Sequence, residues 1–176
     1  MLRRFRAMLK ARDGLAAVEF AFLAPVMIVL FFGTVEVTTA VDCNTRVRDV
    51  AATAADLVAQ ETTVSSTDIS NVFSALDAIM YPNSTTNLKV VISSLVDNGK
   101  GGATVAWSDA TSNTTARTVG STITVPTGLI TSGGSVIYAE VQYNFGVSGA
   151  AFLTNTLTMS SNFYARPRRS ATVTHT

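Results

Sequence analysis

GLAAVEFAFLAPVMIVLFFGTV, residues 14–35, decides how the rest of the chain is read: it holds one charged residue, Glu19, and one helix breaker, Pro25. At the rise of an α-helix this run extends about 33 Å, enough to cross a hydrocarbon core of about 30 Å. A helix buried in a water-soluble domain keeps a polar face, and this one has none along its length. The stretch predicts a membrane-spanning helix, taken here as residues 15–38.

Charge gives the direction of crossing. Residues 1–14 carry Arg3, Arg4, Arg6, Lys10 and Arg12 against Asp13, a net +4, while residues 15–176 carry eight basic and eleven acidic residues, a net −3. The positive-inside rule puts the basic leader 1–14 in the cytoplasm and the C-terminal part in the periplasm or outside. A basic arm that abuts a membrane span reads as a topology signal, so no nucleic-acid partner is expected. A secretory signal has a shorter apolar region followed by a small-residue cleavage site, whereas this run is long and continues into polar helical sequence, as an anchor does. With 176 residues in all, one domain of ordinary size remains beyond the membrane.

The single cysteine, Cys43, excludes an intrachain disulfide framework. Ala40-Val41-Asp42 lacks the small residue that a lipidation site needs before its cysteine. Two readings of Cys43 stay open: a buried thiol, or a disulfide between copies.

Glu19 is the anomaly of the span. A central acid costs about 2.5–3.5 kcal/mol on insertion scales, and less near an edge, so such a residue has a partner or a role. Snorkelling to the headgroups or to Arg12 is one way of relieving it. Pro25 removes a backbone hydrogen bond and predicts a kink, which membrane helices tolerate.

Gly14, the LAAVEF that follows it, the basic leader and the apolar helix together resemble the processing site of type IV pilins and pseudopilins. More closely, GLAAVEFAFLAPVMIVLFFGTVEV resembles the opening of the TadE/TadG-like pseudopilins of tight-adherence (Flp) pilus systems. The match covers residues 12–58, and VQYNF followed by TLTMSSNFYARPR resembles the closing strands of such proteins. The resemblance implies that a prepilin peptidase cuts between Gly14 and Leu15. It also implies that Glu19 pairs with the new amine of an adjacent subunit, and that Pro25 gives the helix a place to bend on leaving the membrane. Some members of the set keep no processing site and remain signal-anchored.

Beyond the span, Val37, Val41, Val47, Val50, Ala51, Ala54, Leu57 and Val58 keep mostly three- and four-residue spacing, which predicts an amphipathic stem helix over 39–60. After a break at 62–66, Thr67 and Asp68 offer an N-cap to a second helix whose stripe is Ile69, Val72, Phe73, Leu76, Ile79 and Met80, with Pro82 as its stop. The period then changes. Residues 88–96 and 103–108 read as a hairpin about a Gly-rich turn, 121–125 as a short strand, 135–145 as an alternating strand, and 156–166 as the last. Residues 167–176 read as a flexible tail. The expected fold is α+β: a long N-terminal transmembrane and stem helix, a short second helix, and a mostly antiparallel sheet of about four strands in a domain over 61–166.

Reactive chemistry is sparse. The only histidine is His175, so neither a histidine-based triad nor a multi-histidine metal site can be assembled. Gly99, Gly101 and Gly102 lack the strand-to-helix setting of a phosphate loop, and the sequons at Asn83 and Asn113 lie in polar loops. The expectation is a protein with no catalytic residues, no metal and no cofactor. Its expected function is that of a pseudopilin or minor pilin, processed by a prepilin peptidase and acting in assembly or initiation of a pilus for surface attachment. Its partners would be the inner membrane, that peptidase and other pilins, in a homo- or hetero-oligomer. The alternative is an unprocessed, single-pass periplasmic assembly factor or adhesin; its length favours the shorter pseudopilins over the long G-type.

Overall fold

A computed structural model describes residues 13–146 and 156–176, with the side chains described from residue 16 onward. The basic leader and the apolar link between the last two long strands lie outside the described residues. Helix α1, Asp13–Ala59, is continuous over 47 residues and contains Pro25. Two compact units meet within it: the first includes α1 up to Thr39, the second is Ala40–Gly146 with Asn155–Thr176.

In the first unit the helix is apolar on all sides. Val18, Phe20, Phe22 and Leu23, and every residue of 26–32, are exposed. Its most apolar window has a mean hydropathy of 2.2 and buries nothing, so the helix is long and apolar enough to cross a membrane. Polar groups at its far end are turned inward: Thr34 Oγ1 donates to Leu30 O, Thr38 Oγ1 to Thr34 O and Thr39 Oγ1 to Val35 O, at 2.7–2.8 Å. Each hydroxyl thereby satisfies itself on its own helix, which a threonine needs where water is scarce.

The second unit is the α+β domain. There α1 buries Cys43, Val47, Val50, Ala51, Ala54, Ala55, Val58 and Ala59, one stripe at three- and four-residue spacing. The stripe starts at Cys43, not at Val37: Val37 and Val41 are exposed, and Val41 lies about 240° around the helix from Val47. Helix α2, Ser66–Met80, is capped by Ser65, not by Thr67 and Asp68 as the sequence suggested. Ser65 Oγ accepts from the Asp68 amide at 3.2 Å, and Asp68 Oδ2 accepts from the Ser65 amide at 2.9 Å. This reciprocal pair satisfies two otherwise orphan donors and moves the helix start forward. Ile69, Leu76 and Met80 are buried.

The strands are β1 (Thr63–Val64), β2 (Leu88–Asp97), β3 (Ala103–Ala110), β4 (Thr122–Ile123), β5 (Ser135–Phe145), β6 (Leu157–Ala165) and β7 (Thr174–His175). Five of them form one antiparallel sheet in the order β4-β3-β2-β5-β6, with the short strand expected at 121–125 as its edge β4. The β2–β3 hairpin turns where expected, with Gly99 at φ 68° and Gly101 at φ 81°, and Asn98 Oδ1 accepts from the amides of Lys100 and Gly102. In β5 the alternation holds: Ile137, Ala139, Val141, Tyr143 and Phe145 are all buried, opposite Ser94, Ile92, Val90 and Leu88 for the first four. Helices α1 and α2 supply the apolar cover of this face.

The opposite face carries a second, smaller core. Leu95, Ala103, Val105, Val136 and Tyr138 are buried there, beneath Ile123, Val125, Leu129 and Ile130. Ile123 and Val125 belong to the short strand expected at 121–125, whereas Leu129 and Ile130 lie beyond it, where no element was expected. The tail also differs from expectation. Residues Thr174–His175 pair in parallel with Thr63–Val64, Val173 is 2% exposed, and its carbonyl accepts from Trp107 Nε1 at 2.8 Å. A buried valine and a paired indole hold in place what composition alone marked as frayed.

Candidate functional site

Helix α1 begins at Asp13, so the Gly14–Leu15 bond and Glu19 belong to one helical run. Glu19 lies about 6 Å along the axis from Leu15 and about 40° around it, nearly on the same side. Its side chain is exposed, among neighbours Val18 and Phe20 that are exposed too. Among the described residues it has neither a hydrogen bond nor an ion pair. The side chain of Leu15, and Arg12, lie outside the described residues. Pro25 follows within the same helix, where its ring removes the amide that would donate to Ala21 O.

Several charges in the domain, by contrast, have structural partners. Arg46 reaches from α1 to the end of α2, where Nη1 donates to Ile79 O at 3.1 Å and to Tyr81 O at 2.7 Å while Nε donates to Asp42 Oδ2. A cation at these carbonyls satisfies acceptors that the helix leaves open and meets its negative end. Arg117 forms a bidentate pair with Glu140 at 2.5 and 2.6 Å, and its amide donates to Ser108 Oγ. Tyr138 stacks on Tyr164 with centroids 4.4 Å apart, and its phenol is pushed up by burial first and by Glu140 second.

Beside that pair an open cavity of about 810 Å³ spreads over the polar face, lined by Lys89, Gln142, Ser160 and Asn162 among others. Its one acid, Glu140, is taken up by Arg117. His175 Nε2 lies 2.8 Å from Asp109 Oδ2 without hydrogen-bond alignment, and its ring is 5.4 Å from that of Trp107. This pair joins β7 to β3. Asn113, within one of the sequons, donates from Nδ2 to Thr86 O and Leu88 O, so its side chain is part of the loop structure. Among the described residues no group of three or more His, Cys, Asp or Glu side chains is placed to hold a metal.

Cys43 is a free cysteine with no exposed surface. Burial raises its thiol pKa, Asp42 adds to the rise, and Arg46 opposes it. Of the two readings of this residue, the buried thiol is the one observed. Sequence reasoning missed Arg46, Arg117 and Glu140, because the carbonyls that Arg46 meets at the end of α2 lie far from it in the chain, as Arg117 and Glu140 do from each other.

Fold and site together define a class: an α+β domain carried on one apolar N-terminal helix that is long enough to anchor it in a membrane. Residues 14–56 match the family model described as TadE-like protein, a match that supports membership of the TadE-like family. The matched region starts at Gly14 and takes in Glu19, Pro25 and the buried stripe of α1 as far as Ala55. Comparison with curated proteins and with solved structures gives no significant match.

Proposed function

We propose that this chain is a membrane-anchored pseudopilin, or minor pilin, that acts in assembly or initiation of a tight-adherence pilus and has no enzymatic activity. The observation that carries the reading is Glu19, an acid without a partner among the described residues on an otherwise apolar helix, five residues after Gly14 and inside the TadE-like segment. Cleavage between Gly14 and Leu15 by a prepilin peptidase removes the basic leader and creates an amine at Leu15. That amine supplies what Glu19 lacks. In a low-dielectric medium such a pair mainly relieves the cost of two buried charges, so it fixes the register between adjacent helices more than it adds net stability. Pro25, where the backbone ladder is already interrupted, is where the helix bends as it leaves the bilayer. The leader faces the cytoplasm and the domain the periplasm, in keeping with the charge asymmetry.

Intact mass of the protein extracted from membranes of cells with an active prepilin peptidase tests this. The expected mass lacks residues 1–14 and begins at Leu15. A full-length mass in those cells would exclude the processed form and support an anchored, unprocessed assembly factor. Glu19→Gln should leave insertion and cleavage intact while reducing incorporation with other pilins, read as loss of the protein from sheared pili.

A further inference from the structure

We infer that β6 is a self-pairing edge, along which two copies of this chain join in antiparallel register centred on Ser161. The sheet has two edges of different kinds. At one, β4 is only two residues long, a common way of blunting an edge. At the other, β6 runs nine residues, LTMSSNFYA, against β5 without a register shift. Among the described residues, no backbone hydrogen bond joins β6 to any element but β5.

The strand's own sequence offers none of the usual protections. It contains no charged residue, no proline and no glycine, and no bulge turns it away. No residue of β6 is buried, whereas most of β5 is, and Leu157 and Phe163 are 41% and 43% exposed. Such an edge is a template for another strand.

The sequence of the strand indicates which strand. Centred on Ser161, all nine residues of each copy find a partner, and any other centre leaves some unpaired at the ends. On the face that carries the helices Leu157 would face Ala165, Met159 would face Phe163, and Ser161 would face itself. On the other face Thr158 would meet Tyr164 and Ser160 would meet Asn162. Apolar side chains thus meet apolar ones, hydroxyl and amide groups meet each other, and no charge is buried. Like partners across a strand pair are the unit of sheet stabilisation. The contact is isologous, so it closes at two copies.

A nine-residue strand pair contributes about eight to ten backbone hydrogen bonds. It falls short of the roughly 1,000 Å² that a stable interface in solution clears. Confinement to one membrane supplies the rest, because tethering raises the effective concentration of one edge at the other. The pairing does not depend on whether the Gly14–Leu15 bond is cut.

The test uses the full chain in inner-membrane vesicles, with Ser161→Cys and a short bis-maleimide. Cys43, with no exposed surface, is silent. The expected result is a shift of most of the chain to twice its mass, while Gln142→Cys, exposed on the neighbouring strand, stays monomeric. Adding Met159→Lys and Phe163→Lys sets like charges opposite each other and should abolish the shift. Met159→Lys with Phe163→Glu should restore it, which separates edge complementarity from misfolding. The inference is overturned by no shift in Ser161→Cys, by an equal shift in Gln142→Cys, by a shift that survives the paired lysines, by failure of the Lys/Glu variant to restore it, or by an adduct with a different protein.

Discussion

Asp68 shows how one side chain sets a boundary. Its carboxylate accepts from the Ser65 amide at 2.9 Å and from Ser65 Oγ at 2.7 Å, and the side-chain bond, more than the backbone one, holds its pKa below the ordinary 3.8. A carboxyl lowered in the folded state stabilises the fold above its unfolded pKa, and that contribution is lost as pH falls through the folded value. The start of α2 should therefore loosen on acidification below about pH 4. Protection of the Ser65 and Asp68 amides, taken relative to the unstructured exchange rate at each pH, is expected to fall over that range, and in Asp68→Ala it should be low already at neutral pH; protection in the variant as high as in the parent would show that the cap contributes nothing. The sequence pointed to Asp68 but not to its partner. Ser65, Ser66, Thr67 and Asp68 are all competent caps, and only the geometry of the preceding β1 selects Ser65.

At the level of elements, α1 and α2 are locked by Arg46, whose guanidinium serves the last carbonyls of α2 and Asp42 at once. Arg46→Met keeps most of the aliphatic length and removes the donors, at an expected cost of about 1–3 kcal/mol. A lower urea midpoint for loss of the domain signal, with the slope unchanged, would be the expected record; an unchanged midpoint would mean that water replaces the guanidinium without loss. Long elements were legible in the sequence because period betrays them. Strand β5 occupies Ser135–Phe145, the span of its alternation, and α2 follows its apolar stripe. Two-residue strands have no period, so β1 and β7 left no signal. The small core under Ile123, Val125, Leu129 and Ile130 was hidden for a related reason: its residues are scattered among Thr, Ser, Gly and Pro, and only the tertiary fold gathers them. For the candidate site the reverse holds. Gly14, Glu19 and Pro25 stood out at once, because a charge and a proline in an apolar run are conspicuous without any fold.

Across the whole molecule, residues 173–176 complete the domain. Val173 is buried, its carbonyl accepts from Trp107 Nε1, and Thr174–His175 pair with β1. Removal of 173–176 should cost about 2–4 kcal/mol, from lost valine burial and lost hydrogen bonds. Trp107 is the only tryptophan, so its emission reports on this site alone and should shift to the red as the indole gains water. An unshifted spectrum together with an unchanged urea midpoint would show that the tail is an accessory. The β1–β7 pair also sets a timetable. Thr63 and Thr174 stand 111 residues apart in the chain and meet side chain to side chain at 3.0 Å. Under the proposed topology, in which the domain crosses the membrane after α1, β1 and the indole of Trp107 wait for residues 173–175 to arrive. A chain stalled in that passage just after Ala165 would then have every long strand and still could not close the β1–β7 pair.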